Sequence, residues 1–122
     1  MATSVDYLNT VVVVRLYGDI DGYDVMAVHR DEAFLDAVRR TGQVLYDYSG
    51  ADHIRLTEAD VVAFAKLAVI EAALTDSFTV GVIPQGDAQL PGVRHYQKLA
   101  TDAGVCVHIS ESVAEFINKN QV

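Results

Sequence analysis

Basic residues are scarce in this chain. It carries 9 Lys and Arg against 17 Asp and Glu, for a formal net charge of −8. Because nucleic acids and anionic membranes attract proteins through Lys and Arg, we expect neither as a partner. No apolar stretch approaches the roughly 20 residues of a membrane-spanning helix. No basic segment precedes the first apolar run, Val11–Val14, so no signal peptide is expected. We therefore expect a soluble, cytoplasmic protein.

Cysteine is almost absent. Cys106 is the one cysteine, and it cannot form a disulfide within the chain. It lies in an apolar run of strand length, which predicts a buried thiol in a reducing compartment. His108 follows two residues later, so the two side chains should share one face of a sheet.

Motifs of common enzyme classes are absent as well. Ser49 follows a strand, but the residues two positions to either side are not the glycines that a nucleophile elbow needs. The histidines lack metal-ligand spacing, and no phosphate-binding or dinucleotide-binding glycine pattern occurs. We predict a protein that is not an enzyme and holds no metal or cofactor. An unrecognised site near a helix start, with Arg94, His95 or Tyr96, is the enzymatic alternative.

Short β-branched runs alternate with longer helical patterns along the whole chain. This order predicts one α/β domain over residues 1–122, with a mostly parallel sheet and functional loops at the carboxyl ends of its strands. The expected strands are Val11–Tyr17, Gln43–Tyr48, Phe78–Ile83 and Val105–Ile109. The expected helices are Tyr23–Arg40, Glu58–Leu74, Leu90–Ala103 and Glu111–Asn118.

Local signals predict how these segments begin and end. The first ten residues resemble a frayed terminus, and Gly18–Gly22 resembles a turn. Gly42 suits the left-handed position after a helix. Thr57 and Ser110 are the expected N-caps of the helices that follow them.

The second helical segment is apolar almost all round, unlike a helix with one face in water. Two explanations stay open. Other parts of the chain cover both sides of this helix, or its outer side is an association surface. A chain of this size has few layers, so we favour association and expect a homo-oligomer, most simply a dimer.

Two loops carry functional interest. The segment Asp47–Asp60, including a loop over Ala51–Leu56, leads into a helix amino terminus, where free N–H groups can bind an anion. The turn Pro84–Asp87 follows the third strand. In an open parallel sheet, both loops should lie at the same edge.

These segments resemble a known family. Gly18-Asp19-Ile20-Asp21 and Asp47-Tyr48-Ser49-Gly50 are similar to the Gly-Glu-Leu-Asp and Asp-Leu-Ser-Gly positions of STAS domains, which include the bacterial anti-sigma-factor antagonists. The later segments Val82–Pro84, Gly92–Tyr96 and Val107–Ser110 resemble the divergent SpoIIAA-like, or STAS/SEC14, group. The resemblance covers nearly the whole chain.

The resemblance implies a sheet of four to five strands, mostly parallel with the first strand antiparallel, packed by about four helices. It also implies a non-catalytic regulatory domain with a protein partner. The serine that is phosphorylated in the antagonists corresponds to a position at or beside Thr57, with Ser49 nearby in the same corner. Here Arg55 and Glu58 replace the acid and the glycine of the antagonists.

The alternative function is a carrier of a small apolar, lipid-type ligand, as on the SEC14-like side of the group. A carrier needs an apolar pocket. The candidate residues for the ligand or interaction surface are Tyr17, Tyr23, Phe64, Arg94 and Tyr96.

Overall fold

The structure is a computed structural model and describes residues 3–119. Its strands are β1 (Thr3–Tyr7), β2 (Val12–Asp21), β3 (Gln43–Arg55), β4 (Thr79–Ile83) and β5 (Cys106–Ile109). Its helices are α1 (Gly22–Val28), α2 (Glu32–Thr41), α3 (Glu58–Ala72), α4 (Leu90–Asp102) and α5 (Val113–Lys119). A short 3₁₀ turn, Asp87–Gln89, precedes α4. Within residues 3–119, no helix is long and apolar enough to cross a membrane.

The strands form one five-stranded sheet in the order β1-β2-β3-β4-β5. β1 is antiparallel to β2, and the remaining pairs are parallel. This confirms the fold class that the family resemblance implied. Each parallel strand lies directly beside the one before it, so right-handed connections place α1 to α4 on the same face. The helix after β5, α5, covers the other face.

Alternating side chains of the strands divide the core in two. In β3, Val44, Tyr46 and Tyr48 point to the larger core beneath α1 to α4. Leu45 belongs to the smaller core, which forms around the fully buried ring of Phe116 in α5. The period of two therefore sets which side chains of β3 can reach a site between the sheet and the four helices.

The sheet is larger than the sequence pattern predicted. The first ten residues are not wholly a frayed start, because Thr3–Tyr7 pair with β2 as an edge strand; Met1 and Ala2 lie outside the described residues. Gly18–Gly22 is not a turn, since β2 continues to Asp21. Most of Ala51–Leu56 is strand, since β3 continues to Arg55 beside the end of β2. The sequence pattern missed these strand segments because they contain polar residues, and polar residues are found there because the segments lie at edges of the sheet that water reaches.

The expected helix Tyr23–Arg40 is two helices. α1 ends at Val28, with His29 as its C-cap. Asp31 then caps α2, as its side chain accepts a hydrogen bond from the Ala33 N–H at 3.1 Å. An aspartate can satisfy a free N–H of a new helix start, and this local gain ends one helix and begins another.

Two predictions for the final strand and helix were wrong. Cys106 is exposed rather than buried, because it begins the edge strand β5 on its open side. Its Sγ does lie 3.3 Å from Nε2 of His108 on the same face. Ser112, not Ser110, caps α5, and its Oγ accepts from the Glu115 N–H at 3.1 Å. Ser110 is buried, and its Oγ has no hydrogen-bond partner within residues 3–119.

Candidate functional site

A pocket of about 100 Å³ lies between the sheet and helices α1, α3 and α4. Most of its wall is aliphatic or aromatic. The aliphatic residues and Phe64 come from five separate segments: Val25, Leu56, Val61, Phe64, Val82 and Val93. The pocket exists because the side chains of β3 and β4 that face the helices do not fill the space beneath the α3–α4 pair. It combines apolar walls with a few polar groups, as ligand sites do.

A hydrogen-bonded chain of three side chains lies in the wall of this pocket. Nδ1 of His29 lies 2.5 Å from Oε2 of Glu71, and Nε2 of His29 lies 3.2 Å from the Tyr46 hydroxyl. The histidine and glutamate side chains are only 7 % and 4 % exposed. The ring of Phe34 meets the imidazole edge-on, with centroids 5.4 Å apart. With Glu71 ionised, its carboxylate can only accept, and Nδ1 of His29 then carries the hydrogen of the contact.

Three separate elements hold this chain of side chains. His29 is the C-cap residue of α1, Tyr46 lies in β3, and Glu71 lies in the last turn of α3. The break between α1 and α2 is therefore what turns the imidazole toward the sheet. Since His29 is fixed by a partner on each ring nitrogen, its orientation does not depend on a ligand.

Two more tyrosine hydroxyls line the pocket. The hydroxyls of Tyr48 and Tyr96 have no hydrogen-bond partner among residues 3–119. Burial raises the pKa of both side chains, and the Glu71 carboxylate adds to the rise for Tyr96. Burial, followed by the charge of Glu71, also raises the pKa of Tyr46 well above its usual value. All three phenols therefore stay protonated at neutral pH and can donate or accept.

The ionisable groups of the pocket are few. Among residues 3–119, Glu71 is the one acid that lines it, and neither Lys nor Arg lines it. His29 and the three tyrosines line the same pocket as the Glu71 side chain. This arrangement can bind the polar end of a small molecule while the aliphatic wall holds an apolar end.

The structure separates the residues proposed as a ligand or interaction surface. Phe64 and Tyr96 lie together in the pocket wall. The rings of Tyr17 and Tyr23 are 43 % and 70 % exposed, and neither residue lines the pocket. Arg94 is exposed in a shallow groove between α4 and β5.

Thr57 and Ser49 belong to different elements: Ser49 lies in β3, and Thr57 is the N-cap of α3. Thr57 is exposed and caps α3, with its Oγ1 accepting from the Asp60 N–H at 3.1 Å. The Asp60 carboxylate accepts in return from the Thr57 N–H at 2.9 Å. Ser49 is exposed inside β3, and its N–H donates to Asp47 at 2.9 Å. The predicted N-cap at Thr57 is thus confirmed, and a role as phosphoacceptor stays a prediction.

The turn after β4 contacts the end of β3, within the segment Asp47–Asp60 that was predicted to lie at the same edge as Pro84–Asp87. Nε2 of Gln85 donates to the carbonyl oxygens of Ala51 and Asp52, the latter at 2.9 Å. This contact joins the turn after β4 to the extended end of β3.

Sequence reasoning did not single out His29, Tyr46, Tyr48 or Glu71. Its one available signal was Glu71, a charged residue near the end of a helix that is otherwise apolar nearly all round. A charge in such a helix either faces water or has a buried partner. The partner lies 42 residues away in sequence, so only the fold brings the two together.

Comparisons with known proteins add one finding. No protein-family profile and no curated protein sequence matches this chain. A solved structure, the anti-sigma factor antagonist SpoIIAA in its unphosphorylated form, superposes with a TM-score of 0.62 and 11 % identity. The match covers 97 % of this chain and 96 % of that one. At this identity the likeness shows the fold: the chain has a SpoIIAA-like, STAS-type fold.

Proposed function

We propose that the protein is a regulatory binding domain that acts by contact with protein chains, including a second copy of itself, and not by catalysis. The similar structure is that of an anti-sigma factor antagonist, which is a regulator. Fold alone does not carry function, so the proposal needs a surface on this chain that could make such contacts.

The outer side of α3 supplies that surface and carries the proposal. Val69 and Ile70 are 40 % and 61 % exposed there. Large apolar side chains exposed side by side mark contact surfaces more often than scattered ones do. α3 is also the helix whose pattern predicted association. Because the inner side of α3 packs against the core through Ala65 and Ala68, Val69 and Ile70 are free to meet another chain.

Sedimentation equilibrium of the purified chain tests this proposal. We expect a dimer that dissociates in Ile70→Asp, because the variant places a charge in an apolar contact. Ala114→Asp adds the same charge at an exposed position of α5 and should leave the dimer intact. A wild-type protein that stays monomeric at high concentration, or an Ile70→Asp variant that stays dimeric, would contradict self-association through α3. Ile70 is a cleaner position than Phe64, which lines the pocket.

Regulation by phosphate at Thr57 or Ser49 is part of the proposal. Both hydroxyls belong to exposed residues that a kinase could reach. At Thr57 a phosphate would lie beside the carboxylates of Glu58 and Asp60 in the first turn of α3, and these charges would repel it. We therefore expect such a phosphate to loosen the start of α3. Intact mass and fragmentation of protein from its own host show whether either residue carries it; an unmodified protein would remove this part of the proposal.

A small-ligand carrier is the second candidate, and the pocket favours it. The pocket encloses about 100 Å³. Pockets for drug-sized ligands enclose roughly 300–1,000 Å³, so a ligand well below the size of a lipid chain fits this one best. Native mass spectrometry tests the candidate directly, since a carrier purified from its own host should hold extra mass that leaves on denaturation.

A further inference from the structure

We propose that the pocket binds a small organic cation, namely a monoamine with a short branched or cyclic hydrocarbon group, whose ammonium lies at Glu71. This inference names the ligand class of the carrier candidate and rests on that candidate. It does not depend on self-association, because Val69 and Ile70 do not line the pocket.

The first argument is the charge inside the pocket. Glu71 is buried with its side chain 4 % exposed, and only its Oε2 is hydrogen-bonded, to His29. Its Oε1 has no partner among residues 3–119. Among residues 3–119, Ser110 Oγ is the one fully buried side-chain polar atom without a partner, so Oε1 of Glu71 opens to the pocket space, where a donor of a ligand can reach it. No Lys or Arg of the lining can supply one.

The second argument is the number of acceptors. The phenol oxygens of Tyr48 and Tyr96 lack partners among residues 3–119 and line the same space as Glu71. An alkylammonium has three N–H donors, and the carboxylate oxygen with two phenol oxygens offers three acceptors. A carboxylate or phosphate ligand would instead place a second negative charge beside Glu71.

The third argument is the wall. Aromatic rings of Tyr46, Tyr48, Phe64 and Tyr96 line the same pocket as Glu71, and ring faces attract a cation that has lost water. The aliphatic wall holds the hydrocarbon end. The enclosed volume is about 100 Å³. A cavity of about 150 Å³ holds benzene, so about four to five carbon atoms is the size that fits here.

Three probes of one shape and different charge test the inference: isobutylamine, isobutanol and isobutyrate. Titrations of the ¹⁵N- and methyl-labelled chain, followed by NMR at neutral pH, should show shifts at Val82 and Val93 for the amine. We expect the amine to bind at least about tenfold more tightly than the alcohol, as a charge-assisted hydrogen bond predicts. Isobutyrate should not bind.

Two variants locate the effect at Glu71. Glu71→Gln keeps the shape and removes the charge, so it should abolish the preference for the amine over the alcohol. Glu58→Gln removes an acid from the exposed start of the same helix and should leave the affinity for the amine unchanged. If Glu71→Gln does not fold, the relative affinities of the wild-type chain for the three probes still test whether the pocket prefers a cation.

Each outcome separates this inference from the proposals above. Equal binding of amine and alcohol overturns the cation and keeps the carrier. Binding by none of the three overturns both the cation and a ligand of this size, whereas the dimer and its α3 surface are judged by sedimentation alone. A shift pattern away from the pocket overturns the site.

Discussion

His29 and Glu71 together determine the charge inside the pocket. Their contact is short, at 2.5 Å, and both side chains are almost wholly buried. Removing one partner leaves the other polar group buried without its hydrogen bond, whereas removing both leaves only the neutral Tyr46 hydroxyl without its contact to His29. The effects of substituting the two side chains on the free energy of unfolding should therefore be strongly non-additive.

A double-mutant cycle measures that coupling. We expect His29→Leu to lower the free energy of unfolding by about 3–5 kcal/mol, because it leaves the Glu71 carboxylate buried and unpaired. The double variant His29→Leu/Glu71→Leu should lose clearly less than the sum of the single variants. Urea unfolding at pH 7 gives each value. The control pair is His95 and Glu58, which are 42 % and 83 % exposed and 3.9 Å apart. Its coupling should stay below about 1 kcal/mol, and an additive His29–Glu71 cycle would contradict the pairing.

The buried phenol of Tyr48 should make the free energy of unfolding fall at alkaline pH. Burial raises the pKa of Tyr48 in the folded chain. Above about pH 10 the unfolded chain releases the phenol proton, whereas the folded chain keeps it. The contribution of this tyrosine to the free energy of unfolding is therefore fully present below about pH 10 and is lost as pH rises. The loss is up to about 1.4 kcal/mol per pH unit for each such tyrosine. Tyr48→Phe removes this contribution, so its stability should fall less steeply between pH 9 and pH 11.

Urea unfolding across that range provides the measurement. Tyr23→Phe is the matched control, because its ring is 70 % exposed and the substitution tests the loss of a hydroxyl without burial. The slope for Tyr23→Phe should equal that of the wild type. An equal slope for Tyr48→Phe as well would show that the Tyr48 phenol ionises in the folded chain.

At the scale of elements, the seating of α5 depends on a missing side chain in β4. A Cβ on Gly81 would lie 2.5 Å from the ring of Phe116 and 2.8 Å from Cδ1 of Leu45. Both neighbours are fully buried and belong to the core beneath α5. The ring can therefore not move aside without shifting α5 from the sheet.

Gly81→Ala should therefore lower the free energy of unfolding by about 1–3 kcal/mol, as overpacking of a filled core does. Gly92→Ala is the control within α4, where an added Cβ meets nothing within 4 Å. That change should stabilise the chain by about 0.5–1 kcal/mol, because alanine loses less backbone freedom in a helix than glycine. Chemical unfolding of both variants measures the contrast. No loss in Gly81→Ala would mean that α5 is not held against β4 in solution.

Sequence patterns predicted elements where a long apolar period was present. The strands β4 and β5 and the helices α3 and α4 were found within two residues of their bounds, and the start of β3 was found at Gln43. The sequence patterns gave wrong element bounds where a polar side chain formed a local hydrogen bond or where polar strand ends paired with each other. Asp31 started a new helix, and the polar ends of β2 and β3 paired with each other beyond β4. Such pairing depends on a neighbour strand more than 30 residues away, which no local window contains.

The candidate site was predictable only in part for the same reason. Phe64 and Tyr96 were among the residues proposed for a ligand or interaction surface, and the structure places both in the pocket wall. The pocket itself depends on how closely α3 and α4 approach the sheet. Sequence spacing contains no information on that distance, so His29 and Glu71 became visible as a pair only in the fold.

At the scale of the whole molecule, the pocket and the outer side of α3 lie on opposite sides of one helix. Ile70 and Glu71 are neighbours in sequence, yet Ile70 is 61 % exposed and Glu71 is 3 % exposed. A rigid helix between two binding sites can couple them only if a ligand at one site shifts the position of the helix. His29 and the sheet already hold Glu71 in place, so a ligand in the pocket has no reason to shift α3.

Saturating isobutylamine should accordingly leave the dissociation constant of the wild-type dimer unchanged within about twofold. Because coupling between two binding events is reciprocal, the same result means that dimer formation does not alter the affinity for the amine. Sedimentation equilibrium with and without the amine measures this, with isobutyrate at equal ionic strength as the control for screening of the −8 net charge. A change of about tenfold or more with the amine alone would show that α3 takes two positions and that ligand and partner are coupled through it.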